Sequence, residues 1–130
     1  MMYAILIYGE AGVFEQLPKA AQDEVMSGHK SLQDALRARG DFASLKLMPP
    51  STAVTVEPAT DPAAPSLVID GPFAETKESF LGFYAAEFES LDDALAHARQ
   101  ISSPIARLEV RPIQWAGGVL STGPGDVGVA

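Results

Sequence analysis

The chain has no cysteine among its 130 residues. Disulfides, thiol catalysis and thiolate metal sites are therefore excluded. Histidine is nearly as scarce, at two residues, too few for a His-rich metal centre. Positive charge is thin: nine Lys and Arg stand against seventeen Asp and Glu, a formal net charge of −8. Nucleic-acid backbones are bound by clusters of Lys and Arg, so no nucleic-acid partner is expected. The first apolar run is too short for a secretory leader or a membrane-spanning helix. The expectation is a cytoplasmic protein with no membrane partner and no cofactor. No internal repeat is present.

Nearly half of the residues, 47 %, are apolar, which suits a globular fold rather than disorder. A chain of this length buries roughly two-thirds of its unfolded surface as one domain. Residues 2–8 alternate Tyr3, Ile5 and Ile7 with Ala4, Leu6 and Tyr8. Both sets are apolar, as in a strand covered on both sides. Residues 18–39 predict a long helix with Val25, His29, Leu32 and Leu36 on one stripe and Gly40 as its stop. Alternation over 43–48 and 52–57, interrupted by Pro49-Pro50, predicts that these two runs pair as a hairpin. Pro58 to Pro65 is a loop. A short strand, 66–69, is followed by a polar turn, and 80–88 is a second strand apolar on both faces.

Ser90 is positioned to cap a helix running to about Ile101, with Asp92 and Asp93 in its first turn. That helix is expected to bury Leu91, Ala94, Leu95 and Ala98. The last strand, 106–113, sets Leu108 and Val110 against Arg107, Glu109 and Arg111. A Gly-rich tail, 116–130, follows a domain of residues 1–115. Two β-α-β units with an inserted hairpin make a ferredoxin-like α+β sandwich. Its helices cover one sheet face, so the two-sided strands call for a second subunit on the other.

The central turn is Asp70-Gly71-Pro72-Phe73-Ala74-Glu75-Thr76-Lys77-Glu78. An Asp in a turn bonds the amide two residues on, but here that residue is Pro72, which has none. Asp70 thus keeps acceptor capacity. Gly71 permits torsions closed to other residues, Pro72 fixes the next step, and Phe73 is expected to fold back on the core as an anchor. Glu75, Thr76, Lys77 and Glu78 place mixed charge beside the carboxylate. From residue types alone, this is either a functional turn or an ordinary solvated loop.

The nine-residue string resembles the signature of the DGPF-domain proteins, a branch of the YCII-related family. The resemblance extends to Tyr3–Gly9, Gly28-His29, Leu47–Pro50 with Thr52–Val56, Leu91–Ala94 and Glu109–Ile113. It implies a homodimeric α+β barrel and a His-Asp pair whose histidine lies on the first helix. Carried onto this chain the histidine is His29, and the acid is Asp70 or its rival Asp34. An Asp70 carboxylate on one ring nitrogen would raise the His29 pKa and leave the other nitrogen for proton transfer. Lys77 and Glu78 match the motif, and with Pro72, Phe73, Glu75 and Arg111 they are the expected substrate-binding residues. Arg107, Glu109 and Arg111 form either a structural ladder or an anion site. His97 is expected to be exposed and without a role, and Trp115 to anchor the tail on a partner. The resemblance implies either a cofactor-free lyase or hydrolase acting on a small organic molecule, or a non-catalytic small-ligand accessory linked to an extracytoplasmic-function sigma factor.

Overall fold

A computed structural model describes residues 1–120. Four strands form the main sheet: β1 (Met2–Gly9), β2 (Phe42–Lys46), β5 (Ser79–Glu87) and β6 (Arg107–Pro112), in the order β2-β5-β1-β6. Every neighbouring pair is antiparallel. A one-turn helix, α1 (Val13–Gln16), precedes the long helix α2 (Lys19–Arg39), and α3 (Leu91–Ala98) connects β5 to β6. This is the ferredoxin-like α+β arrangement. The turn α1 is the one helix that the apolar spacing does not announce; it is four residues long, too short to show a period.

The expected hairpin is corrected. Residues 43–48 and 52–57 do not pair: β2 lies against β5, with Phe42 opposite Ala86. Pro49 and Pro50 instead lead into a 3₁₀ turn, Pro50–Thr52. The chain then leaves the sheet as a separate hairpin of β3 (Val54–Val56) and β4 (Val68–Asp70). Proline supplies no amide for a ladder and redirects the chain at the strand end.

Alternation along each strand divides the sheet into two faces. On one, Tyr3, Ile5, Tyr84 and Ala86 are buried with Phe88 against Leu32 and Leu36 of α2 and Ala94 and Ala98 of α3. Leu108 and Val110 pack on the same cluster, as their spacing predicts. Burying a Leu or Phe side chain fully contributes about 1.5–3 kcal/mol, so this face carries most of the stability. Leu91, expected inside, is exposed instead, because it opens α3 one residue after the cap. Ser90 does cap the helix: its hydroxyl accepts from the Asp93 amide at 3.1 Å.

Among the described residues no α-helix lies over the opposite face. Leu45, Phe83 and Leu6 lie in one row across β2, β5 and β1, and Ala43, Ala85 and Ala4 in the next. Beyond them Tyr8 and Phe80 meet with ring centroids 5.6 Å apart. Arg107, Glu109 and Arg111 edge this face on β6 and are exposed.

Past β6 the chain crosses to the far edge of the sheet, where a 3₁₀ turn, Gly118–Leu120, lies against β2. The rest of the expected tail, 121–130, lies outside the described residues. None of the helices among the described residues is long and apolar enough to cross a membrane.

Candidate functional site

The site begins as a gap in the side-chain layer between sheet and helix. On the helix-covered face one row reads Ser44, Tyr84, Ile5, Val110, and the next reads Lys46, Gly82, Ile7, Leu108. Ser44 is small and Gly82 has no side chain, so one corner of the sheet is left unfilled. Gly82 is also required there, since a Cβ would overlap the Leu45 carbonyl oxygen. The result is a cavity of about 390 Å³ under α2, near the lower end of the range for small-molecule sites.

Its walls are largely apolar, with Ile7, Val25, Met26, Leu81, Ile101 and Ile105 among them. Three polar side chains from two elements meet on one side. His29 Nδ1 lies 2.8 Å from the Tyr84 hydroxyl, which also accepts from Gln33 Nε2 at 3.0 Å. The two rings are nearly parallel, at 22°. Tyr84 is only 2 % exposed, so its oxygen sits where a hydrogen-bond partner matters. Burial pushes the His29 pKa below its ordinary value, and the Lys46 ammonium adds to the effect. A carboxylate partner would do the opposite.

At the mouth Lys46 lies 4.0 Å from Glu15 and over the Phe14 ring at 5.3 Å. Glu10 lines the same cavity. A second cavity, of about 420 Å³, shares Glu10, Ile105 and Ala106 with the first and is lined by Lys77 and Glu78 of the signature turn. Glu78 pairs there with Arg107 Nε at 3.3 Å.

The expected site residues therefore separate. His29 lines the first cavity, and Lys77 and Glu78 line the second. Within one chain Asp70 is not the partner of His29: Tyr84 holds Nδ1, and Asp70 sits exposed at the end of β4. Asp34 is bound to Lys30 at 2.8 Å and Arg37 at 3.3 Å on the outer side of α2. Gly71 has the left-handed φ of 96° its place in the turn suggested. Phe73, however, does not anchor on the core; it is 88 % exposed. The turn belongs to the separate hairpin, so no core lies beneath it. Pro72 is half-buried, while Glu75 and Arg111 are exposed, and none of the three lines either cavity.

His97 is also corrected. Its side chain is 15 % exposed and is wedged among Asp93, Arg39 and Phe88. Sequence reasoning missed Gln33 and Tyr84. Gln33 follows His29 by four residues and so shares its helix face. Tyr84 is the polar-tipped member of the inward set Tyr84, Ala86 and Phe88.

The YCII-related domain model matches residues 1–115. The chain belongs to the YCII-related family. The match spans both cavities, the separate hairpin and the whole main sheet. An uncharacterized protein of Rhizobium meliloti is 36 % identical over 117 residues, covering 87 % of this chain and 92 % of its own length.

Proposed function

We propose that this YCII-related chain, of the DGPF branch, binds a small, largely apolar organic molecule in the His29 cavity and acts on it without a cofactor, as a lyase or hydrolase. The observation that carries the reading is the His29–Tyr84 contact on the wall of that cavity. Two groups able to hold and pass a proton meet a largely apolar space, where an interaction with a reacting atom is strengthened by exclusion of water. In this reading Tyr84 takes the place at Nδ1 that the resemblance gives to Asp70. Asp70 keeps a role only if a second subunit brings the signature turn to the cavity. Lys77 and Glu78, with Pro72, Phe73 and Glu75 in the same turn and Arg111 on β6, are the further binding residues of the proposal. The chain acts as a cytoplasmic homodimer, its open sheet face covered by a second copy.

The second reading is binding without turnover, as a small-ligand accessory linked to a sigma factor. It is favoured by the absence of a carboxylate on His29 among the described residues. A thermal-shift screen of small organic molecules, followed by turnover assays on the hits, separates the two readings. Under the enzyme reading, His29→Gln and Tyr84→Phe keep the fold, lose turnover by about a hundredfold or more, and Asp70→Asn tests the second subunit's contribution. Hits that bind wild type and are never converted leave the binding reading standing and remove the enzyme.

A further inference from the structure

We infer that the ligand of this cavity is a small uncharged carbonyl compound, held through its oxygen by the Nε2–H of a neutral His29. The inference rests on the reading of the cavity as a ligand site and assigns that site's chemistry. It starts from the buried hydroxyl of Tyr84. That oxygen accepts from Gln33 Nε2, and its own hydrogen must go to an acceptor. Among the described residues the acceptor within reach is His29 Nδ1, at 2.8 Å. Were Nδ1 to carry the proton instead, the phenol would receive from both sides and its O–H would have no protein acceptor among the described residues. That tautomer is disfavoured, because cavity water replaces only part of a lost hydrogen bond at a buried donor. The relay Gln33, Tyr84, His29 therefore places the imidazole proton on Nε2.

The ring offers the cavity a donor, not a base. Burial keeps the imidazole neutral near pH 7, so the tautomer decides what it can recognise. The matching ligand atom is an acceptor.

Charge at the mouth selects among acceptors. Among the described residues the one ammonium lining the cavity, Lys46, shares that lining with two carboxylates, Glu15 and Glu10, and lies 4.0 Å from Glu15. A carboxylate ligand would meet a net negative entrance and a neutral imidazole. A ketone or lactone carbonyl meets neither penalty, and its hydrocarbon body fits walls such as Ile7, Val25 and Leu81. A neutral imidazole N–H aimed at a carbonyl oxygen also polarises that bond, which is the role it would have in turnover.

The test uses the full ¹⁵N-labelled chain and long-range ¹H–¹⁵N correlation spectra, with His29 assigned by its loss in His29→Gln. Wild type at neutral pH is expected to show Nε2 protonated and Nδ1 bare. In Gln33→Glu the new carboxylate accepts from Tyr84, and the His29 tautomer is expected to reverse. Acetophenone, benzoate and ethylbenzene are then titrated as probes into wild type and His29→Leu, each variant first checked for a cooperative melt. Acetophenone is expected to shift the Nε2 signal, to bind about tenfold or more tightly than benzoate, and to lose its advantage over ethylbenzene in His29→Leu. A proton found on Nδ1 in wild type overturns the inference while the cavity reading survives. Benzoate binding as tightly as acetophenone overturns the uncharged class. Failure of all three probes to perturb any cavity residue overturns the cavity reading, and the inference falls with it.

Discussion

Tyr84 and His29 illustrate how one buried hydroxyl sets the behaviour of a titratable neighbour. The His29 pKa is lowered by burial first and by Lys46 second. A base whose folded pKa lies below its unfolded value binds its proton more readily in the unfolded chain. The stability this gives is present above the unfolded pKa, ordinarily 6.5, and is lost as pH falls below it. The melting temperature of wild type is therefore expected to drop between about pH 7.5 and 5.5 more than that of His29→Gln. Parallel pH profiles of the two proteins would remove the effect from His29. Tyr84→Phe leaves both Nδ1 and the Gln33 amide without their partner. Water in the adjacent cavity softens the loss, so about 1 kcal/mol is expected in denaturant unfolding. A variant as stable as wild type would mean that the hydroxyl is not holding the ring.

Among the elements, α3 is the clearest case of local sequence fixing structure. Ser90 caps it, and Asp93 Oδ2 accepts from the Glu89 amide and from Arg39 Nη2, both at 2.9 Å. These contacts hold the Asp93 carboxyl below its usual pKa, with the Arg39 bond the largest cause. They also tie the end of α2 to the start of α3. Ser90→Ala is expected to cost about 1 kcal/mol, read as a loss of about 3–5 °C in Tm. An unchanged melt would show the cap to be idle.

The same legibility holds for β1, α2, β5 and β6, where periods of two and near four are set by burial against the core. It fails for the inserted hairpin. Val54, Val56, Val68 and Ile69 alternate or cluster as strand residues do, yet nothing local says which strand each will pair with. Pairing choice was decided by the proline turn and by the fit of Phe42 into the core, a long-range matter. The candidate site was half legible for a related reason. His29 stands on a readable stripe, whereas Tyr84 reaches it from 55 residues away. An isolated hairpin is marginal in water, and here its valines are exposed. In dilute solution its amides are expected to exchange with solvent about a hundredfold or more faster than those of β1 and β5.

At the scale of the whole molecule, two partly exposed apolar surfaces favour the proposed second copy. The open sheet face is four strands wide and about seven residues long. At about 4.8 Å per strand and 3.3 Å per residue its flat area is about 450 Å². A stable dimer buries about 800 Å² on each partner, so the face is short of that even with side-chain relief added. The exposed hairpin, with Val54, Val56, Val68, Ile69 and Phe73, supplies the remaining apolar area if it also lies in the interface. Light scattering at micromolar concentration is therefore expected to give the mass of two chains. Leu6→Asp, in the row that runs Leu45, Phe83, Leu6, Glu109, adds a second carboxylate beside Glu109 and sets it against an apolar partner. It is expected to weaken association about a hundredfold or more, while Val54→Asp with Val68→Asp weakens it by a smaller factor. A wild-type chain that stays monomeric at these concentrations would leave both surfaces without a second copy to cover them. A Leu6→Asp chain that dimerises as well as wild type would move the interface off the sheet.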